Sequence, residues 1–256
     1  MTKIICFTNQ KGGVGKTTTC VNISACLSAL GKKVLIVDLS PQGNATSGLG
    51  IDKHKLEKSV YNSIIDGFPL EKVVLNTQFK NLFLAPSNLD LAGAEIELAT
   101  LSGRNKRLLS ALEPIKENYD FIMIDCPPTT GTLTLNALTA SDRVILPISP
   151  DFFAMEGACQ TVNLIKLINK INQNLSLCGV VLTAYDQRAL VYRQILSEIK
   201  EHFGDKVFKT VIPQNVRVAE APSHGLPVIY HAPSCIGAKA YFAVTKELIK
   251  REKNNG

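Results

Sequence analysis

Features that would place this chain in a membrane, secreted or metal-binding class are missing from its 256 residues. No segment approaches the roughly 18 apolar residues that are needed to span a bilayer. The first residues lead directly into a short apolar segment and lack the pattern of a secretory signal. The 7 cysteines are odd in number and form no Cys-x-x-Cys pair. These absences argue against a disulfide framework or a zinc knuckle, and they favour free thiols in a reducing cytoplasm.

The composition indicates a folded chain with a modest excess of positive charge. Hydrophobic residues make up 45% of it and charged residues 20%, which is typical of a globular protein. Residues 1–256 are expected to form one domain, with a frayed polar tail at 251–256. The net charge is +6, and residues 186–256 hold 11 Lys and Arg against 7 Asp and Glu. This excess suits a negatively charged partner, although a solvated surface is its commoner explanation.

Strand-like and helix-like segments alternate along the whole chain. Continuous β-branched runs predict buried strands at residues 3–8, 33–38, 82–86, 121–125, 143–147, 177–183 and 207–211. Helical periodicity lies between them at residues 17–30, 104–117, 154–172, 191–202 and 236–250. This alternation predicts an α/β fold with one doubly wound, mostly parallel sheet and helices on both faces. No linker or repeat divides it.

A glycine-rich segment gives the strongest functional signal. It reads Lys11-Gly12-Gly13-Val14-Gly15-Lys16-Thr17-Thr18, and it follows the first predicted strand and opens the first predicted helix. Its glycines let backbone N–H groups face a phosphate, and the helix N-terminus adds the positive end of its dipole. In such a loop Lys16 reaches the β- and γ-phosphates of a nucleotide, and the Thr17 hydroxyl ligates Mg²⁺.

The loop departs from the usual Gly-x-x-x-x-Gly-Lys-[Ser/Thr] pattern, because Gln10 stands at the position of the first glycine. A second lysine, Lys11, stands at its start instead. A lysine at this point cannot easily fold back onto the phosphates of its own loop, and it is better placed to reach a nucleotide held by a second copy. The pair of Lys11 and Lys16 therefore suggests a homodimer that encloses two ATP molecules.

This segment resembles the deviant Walker A motif of the ParA/Soj/MinD ATPases, and the similarity continues over nearly the whole chain. Residues 41–50 resemble switch I of the Soj-type proteins, 90–98 their next block, 124–128 the Walker B and switch II region, and 210–217 with 220–225 the adenine loop. The resemblance implies an ATP-dependent dimer of the chromosome- and plasmid-partitioning branch. Such a dimer binds DNA without sequence preference in the nucleoid, and a ParB-type centromere-binding partner stimulates it.

The resemblance also implies roles for single residues, and elementary chemistry supports some of them. Asp125 ends an apolar strand beside the loop, where a carboxylate can hold a Mg²⁺-bound water. Asp38 ends the second strand in the same way, and the resemblance makes it another outer-shell magnesium residue. Pro213 and Asn215 fall where family members grip adenine, although the residues alone indicate only a turn.

One position departs from the family at the catalytic site. Soj-type proteins read Asp-x-Asp-Pro-Gln-Gly-Asn after the second strand, and here Ser40 replaces the second aspartate, which the family uses to place and activate the attacking water. Serine cannot act as a general base near pH 7. Lys11 and Lys16 are intact, so ATP binding and dimerisation are expected to survive while hydrolysis falls. Two explanations stay open: another residue compensates, or serine was introduced to trap an ATP state.

DNA contact is expected from basic side chains near the end of the chain. The resemblance points to Arg188 and Arg217, and position and local charge add Lys239 and Lys246. Each of these would contact backbone phosphates rather than bases.

Three alternatives to a partition ATPase stay open. The first is a DNA-binding module that needs ATP and does not hydrolyse it, because of Ser40. The second is a MinD-like membrane ATPase, which would need an amphipathic C-terminal helix that residues 251–256 do not offer. The third is a nitrogenase-type reductase, which would need paired cluster-ligating cysteines, and Cys126 and Cys159 are candidates for these by position only.

Overall fold

The computed structural model describes residues 2–151, 153–186 and 188–254, and within these residues seven strands form one sheet. The strands are β1 (Lys3–Phe7), β2 (Val34–Asp38), β3 (Leu75–Asn76), β4 (Leu82–Ala85), β5 (Phe121–Asp125), β6 (Arg143–Ile148) and β7 (Ser176–Leu182). Their order is β3-β4-β2-β5-β1-β6-β7, and all neighbours are parallel except the antiparallel pair β3 and β4. This confirms the predicted α/β fold with a mostly parallel sheet.

Helices surround this sheet. They are α1 (Lys16–Ala29), α2 (Asn44–Gly48), α3 (Val60–Ile65), α4 (Ala94–Thr100), α5 (Arg107–Leu112), α6 (Thr132–Ala140), α7 (Ala154–Ile168), α8 (Leu190–Phe203), α9 (Val216–Glu220), α10 (Val228–His231) and α11 (Ile236–Asn254). Short 3₁₀ turns join several of them. Among the described residues, no helix combines the length and the apolar composition that crossing a bilayer requires.

Both faces of the sheet are covered, as the continuous apolar strands predict. In β1, Ile5 and Phe7 belong to one core cluster, while their neighbours Ile4 and Cys6 belong to the cluster on the other face. Successive strand residues point to opposite faces, so a strand without polar positions is a strand buried on both sides. The first cluster includes residues of α1, α10 and α11, and the second includes residues of α3 to α7.

Two expected elements differ from the structure, and helices α2, α3, α4, α6, α9 and α10 have no counterpart among the predicted ones. Residues 207–211 form no strand: they run beside β7 with isolated contacts, in which Phe208 N–H donates to the Val180 carbonyl and Ile212 N–H to the Leu182 carbonyl. The expected helix 104–117 consists of the short helix α5 between two 3₁₀ turns. The longest helix without a predicted counterpart is α6, because its threonines and its asparagine hide its periodicity.

The tail expected to fray from residue 251 is instead helical as far as Asn254, and Asn255 and Gly256 lie outside the described residues. Arg251 donates hydrogen bonds to the carbonyls of Cys178, Lys206 and Val207, and its guanidinium lies 4.2 Å from the centroid of the Phe208 ring. Glu252 is buried. The prediction was wrong because both charged side chains have partners near β7 that composition cannot reveal.

Candidate functional site

The phosphate-binding loop lies at the carboxyl end of β1, an interior strand, and leads into α1. Gly13 and Gly15 have φ values of 75° and 81°, a left-handed conformation that side chains disfavour. No side chain caps the start of α1. The first N–H groups of a helix have no partner within it, so this terminus is suited to an anion.

The loop forms part of a cleft of about 330 Å³. Its lining comprises Gly12, Gly13, Gly15, Lys16, Thr17, Thr18, Ser40, Gln42, Asn44, Cys126 and Pro128. The structure therefore brings together the loop, the residue at the departing position 40 and the segment after β5. The carboxyl edge of a parallel sheet is where such folds bind their ligands.

The two lysines of the loop have different surroundings. Lys16 is buried, and its ammonium donates to the Lys11 carbonyl at 2.8 Å. Burial lowers the pKa of Lys16, and the nearby charge of Asp125 partly opposes this effect. The Lys11 ammonium pairs instead with Asp151 and lies 5.7 Å from the centroid of the Phe153 ring. Its ammonium thus lies at Asp151, and its contact with a second nucleotide stays a prediction.

The carboxylates of Asp38 and Asp125 are fully buried at the ends of two neighbouring strands. Asp125 Oδ2 accepts the Thr17 hydroxyl at 2.7 Å, while Asp125 Oδ1 is buried without a hydrogen-bond partner. Burial raises the pKa of Asp125, the charge of Asp38 raises it further, and Thr17 and Lys16 act against this. An unpartnered carboxylate oxygen beside a threonine hydroxyl fits Mg²⁺, which takes few protein ligands and completes its shell with water and phosphate oxygens.

Asp38 has a different environment from Asp125. Its Oδ2 accepts the N–H and the hydroxyl of Thr46 at 2.9 and 2.8 Å, and its Oδ1 accepts the Ser40 N–H at 3.0 Å. Burial raises its pKa, and these hydrogen bonds lower it. Because both of its oxygens already accept hydrogen bonds, Asp38 holds the segment after β2 in place and is less suited than Asp125 to a metal-bound water.

Ser40 is only 4% exposed, and its backbone is fixed on both sides. Its N–H donates to Asp38, and its carbonyl accepts the Ser87 hydroxyl at 2.7 Å. Ser87 N–H in turn donates to the Thr46 hydroxyl. The position is therefore rigid, and the side chain that occupies it is held at the phosphate cleft.

Pro213 and Asn215 lie in a second cleft of about 330 Å³, which shares Gly13, Gly15 and Thr18 with the first. Its remaining lining comprises Thr183, Ala184, Ile212, Gln214, Val218, Ala219 and Tyr241. Asn215 Oδ1 is buried and has no partner. The two clefts meet at the loop, so together they have room for a phosphate chain and a base.

The four cations suggested for DNA contact are exposed. Arg188 pairs with Asp186 at 2.8 Å and lines a cleft together with residues 213–216 and Ile236. Arg217 pairs with Glu220 at 2.9 Å. Exposed Lys239 and Lys246 lie on α11, seven residues or about two turns apart. Their role in DNA contact stays a prediction.

Sequence reasoning missed several polar residues that complete the site. They are Asn9, Thr46, Ser87, Asp151 and Thr183. Thr183, for example, donates to the Val14 carbonyl at 2.9 Å and so ties the loop to the end of β7. All but Thr46 follow a buried strand within a few residues, and that position could have identified them.

A glycine loop that joins an interior parallel strand to a helix is the architecture of the P-loop nucleoside triphosphatases. A family model described as an AAA domain matches residues 2–177. The sporulation initiation inhibitor protein Soj of Bacillus subtilis is 51% identical over 249 residues, which are 97% of this chain and 98% of that protein. The chromosome partitioning protein ParA of Caulobacter vibrioides is 42% identical over 255 residues, which are 98% of this chain and 96% of that protein. The chain belongs to the Soj/ParA family of partitioning ATPases.

A solved structure leads to the same fold. The cobyrinic acid a,c-diamide synthase of Mycobacterium smegmatis, with bound ADP and magnesium, has a TM-score of 0.88 to this chain at 35% identity. The match covers 100% of this chain and 97% of that chain. The family and the fold predicted from the sequence are thereby confirmed.

Proposed function

We propose that this protein is a partition ATPase that binds Mg²⁺-ATP, dimerises around it, binds duplex DNA without sequence preference and responds to a ParB-type partner in the nucleoid. The observation that carries the proposal is the phosphate cleft lined by Lys16 and Thr17, whose hydroxyl donates to the buried Asp125, a carboxylate with one unpartnered oxygen. Family membership supplies the process, and a solved structure of this fold contains ADP and magnesium.

Different residues in and around the cleft bind the phosphates, the magnesium ion and the base of the nucleotide. The backbone of the loop and Lys16 hold the phosphates, while Thr17 and Asp125 hold Mg²⁺ directly and through water. Magnesium, when bound, neutralises charge on the β- and γ-phosphates. Pro213 and Asn215 accommodate the base. Lys11 lies outside this set, since its ammonium pairs with Asp151, and it can exchange that partner for the nucleotide of a second copy.

Ser40 sets the speed of hydrolysis in this proposal. A hydroxyl at this rigid position can orient a water by hydrogen bonding, but it cannot take the proton of that water near pH 7. Hydrolysis is therefore slow, and the ATP-bound dimer accumulates on DNA. A protein that binds DNA with ATP and never hydrolyses it is the second candidate, and the same serine favours it.

Three other functions have less support. A membrane-bound ATPase would need a free amphipathic C-terminus, whereas Arg251 and Glu252 are engaged near β7. A reductase would need paired cluster ligands at Cys126 and Cys159, but Cys126 is buried, and the Cys159 sulfur lies 3.9 Å from His202 Nε2. The Mycobacterium smegmatis protein is named as a cobyrinic acid a,c-diamide synthase. Its identity to this chain is 35%, lower than the 51% of Soj, so a synthase activity has less support than a partition ATPase.

The proposal is tested by analytical ultracentrifugation and phosphate release with Mg²⁺-ATP, duplex DNA and a ParB-type protein. The unaltered chain is expected to convert from monomer to dimer with ATP, and Lys16→Ala to lose ATP binding and dimerisation together. Lys11→Ala is expected to bind ATP and stay monomeric, because its ammonium is not part of its own cleft.

The outcomes separate the two candidates. Slow turnover that DNA and the partner accelerate supports the partition ATPase, and DNA binding with no turnover in any mixture supports the non-hydrolysing module. A sedimentation coefficient that ATP leaves unchanged in the unaltered chain contradicts both. ATP binding by Lys16→Ala equal to that of the unaltered chain contradicts the assignment of the cleft.

A further inference from the structure

Glu95 makes a contact between two helices that the proposed function does not use. It lies in the first turn of α4, and its side chain reaches the start of α6. Its Oε2 accepts the Thr132 N–H at 2.6 Å, and its Oε1 accepts the Leu133 N–H at 3.2 Å. A carboxylate here pairs with two N–H groups that lack partners within α6, and with the positive end of its dipole.

Glu95 replaces a cap that α6 does not provide for itself. The N-cap residue of α6 is Gly131, and no side chain of the cap position accepts a hydrogen bond. A Cβ atom at Gly131 would collide with the Glu95 carboxylate where it now lies, so a side chain there would displace this cap. A further hydrogen bond stabilises the start of α6, in which the Thr134 hydroxyl donates to the Thr129 carbonyl at 2.6 Å.

The loop formed by residues 126–131 is held at both ends. One end follows Asp125 in the sheet, and the other runs into the turn that Glu95 caps. Within the loop, Cys126 and Pro128 line the phosphate cleft. Glu95 therefore connects α4 to the loop that forms one wall of the cleft, although Glu95 itself does not line the cleft.

We propose that Glu95 is a positioning residue for ATP hydrolysis. By capping α6 it holds the loop 126–131 in the arrangement that hydrolysis requires, and it does so without touching the nucleotide. The inference rests on the ATPase activity proposed above. ATP binding depends on the loop 11–18, which Glu95 does not contact, so Glu95 acts on turnover rather than on affinity.

The test uses Glu95→Ala, Glu95→Gln and the matched control Glu97→Ala. Glu97 lies on the same helix, and its carboxylate accepts the Tyr61 hydroxyl at 2.9 Å, so its loss removes a comparable contact away from the loop. Each variant is made in the unaltered chain and in the Ser40→Asp chain. Turnover at saturating ATP, the dissociation constant for a fluorescent ATP analogue and amide hydrogen exchange of residues 126–135 are measured.

Glu95→Ala is expected to lower kcat at least about tenfold, since a misplacement of about 1 Å can cost on the order of 10²-fold. The dissociation constant should change less than about twofold, and exchange in 126–135 should become faster. Glu95→Gln keeps one acceptor oxygen, so its kcat should lie between those of Glu95→Ala and the parent chain. The kcat of Glu97→Ala should equal that of its parent. Unchanged exchange in Glu95→Ala, or a kcat within about twofold of the parent, overturns the positioning role. Failure of the unaltered chain to bind ATP overturns the proposed function and with it a role in hydrolysis, and the exchange comparison then decides only whether Glu95 orders residues 126–135.

Discussion

Ser40 shows how one side chain can separate ATP binding from hydrolysis. Restoring the carboxylate with Ser40→Asp is expected to raise turnover at least about tenfold, the conservative end of a general-base contribution. The same substitution places a second carboxylate near buried Asp38, so the protein without nucleotide should become less stable. Phosphate release and thermal unfolding, with and without Mg²⁺-ATP, check both effects.

Ser40→Asn is the control for this substitution, because it has nearly the same volume as the aspartate and no charge. It should raise turnover far less than Ser40→Asp. Equal turnover in the serine, asparagine and aspartate chains, with DNA and a ParB-type protein present, would mean that another group positions the water or that the water needs no base.

The sequence predicts the residues of the site that belong to a local motif, and it misses those that are assembled across strands. Lys16 and Thr17 follow from one continuous pattern. Ser87 and Asp151 come from the ends of other strands, and each becomes part of the site only because the strand order brings those ends together. Glu95 is further removed, since its contact requires that α4 and α6 be neighbours.

At the scale of elements, α11 depends on the contacts of its last turns. Arg251→Ala removes three hydrogen bonds to carbonyls and the contact with the Phe208 ring. At about 1 kcal/mol for each hydrogen bond, with part of the loss recovered by water, the free energy of unfolding should fall by about 2 kcal/mol. The melting temperature should fall by roughly 4–8 °C in a chain of this size.

Lys250→Ala is the matched control, because Lys250 is the preceding residue and its side chain is exposed. Its melting temperature should stay within about 1 °C of the unaltered chain, the range of ordinary surface substitutions. If Arg251→Ala is equally mild, the last turns of α11 add little to stability, and fraying of the tail becomes the correct description in solution.

The strands could be predicted from sequence more closely than the helices. The predicted strand 121–125 has the observed bounds, because a strand buried on both faces is a short apolar run that polar residues delimit. Residues 207–211 are interrupted by Lys209 and Thr210 and form no strand, since they approach β7 at isolated points only. Helix bounds depend on caps such as Glu95, which come from distant residues and leave no local pattern.

At the scale of the whole molecule, the positive charge near the end of the chain predicts a DNA affinity that falls steeply with salt. Arg188→Ala with Arg217→Ala should weaken binding of the ATP-bound dimer to random-sequence duplex DNA. The slope of log K against log salt should fall by roughly one for each phosphate that the dimer no longer neutralises. Lys239→Ala and Lys246→Ala should act in the same direction. Filter binding over a salt series measures these slopes.

Asp186→Ala provides a sharper control, because Asp186 pairs with Arg188 in the structure. Removal of this counter-charge should strengthen DNA binding if Arg188 contacts phosphate, and should leave it unchanged otherwise. Lys166→Ala removes an exposed lysine from α7 and should have little effect. A salt-independent affinity, or equal affinities for the double arginine variant and the unaltered chain, would contradict electrostatic DNA binding.

The two edges of the sheet restrict how copies of this chain can aggregate. At one edge, β3 is only two residues long. At the other, carbonyls of β7 already accept hydrogen bonds from Phe208, Ile212 and Arg251. Neither edge offers the long row of unpaired backbone groups that recruits strands from other molecules into fibrils. Contacts between copies through side chains and loops separate again without unfolding, so repeated assembly and release need not lead to irreversible precipitation.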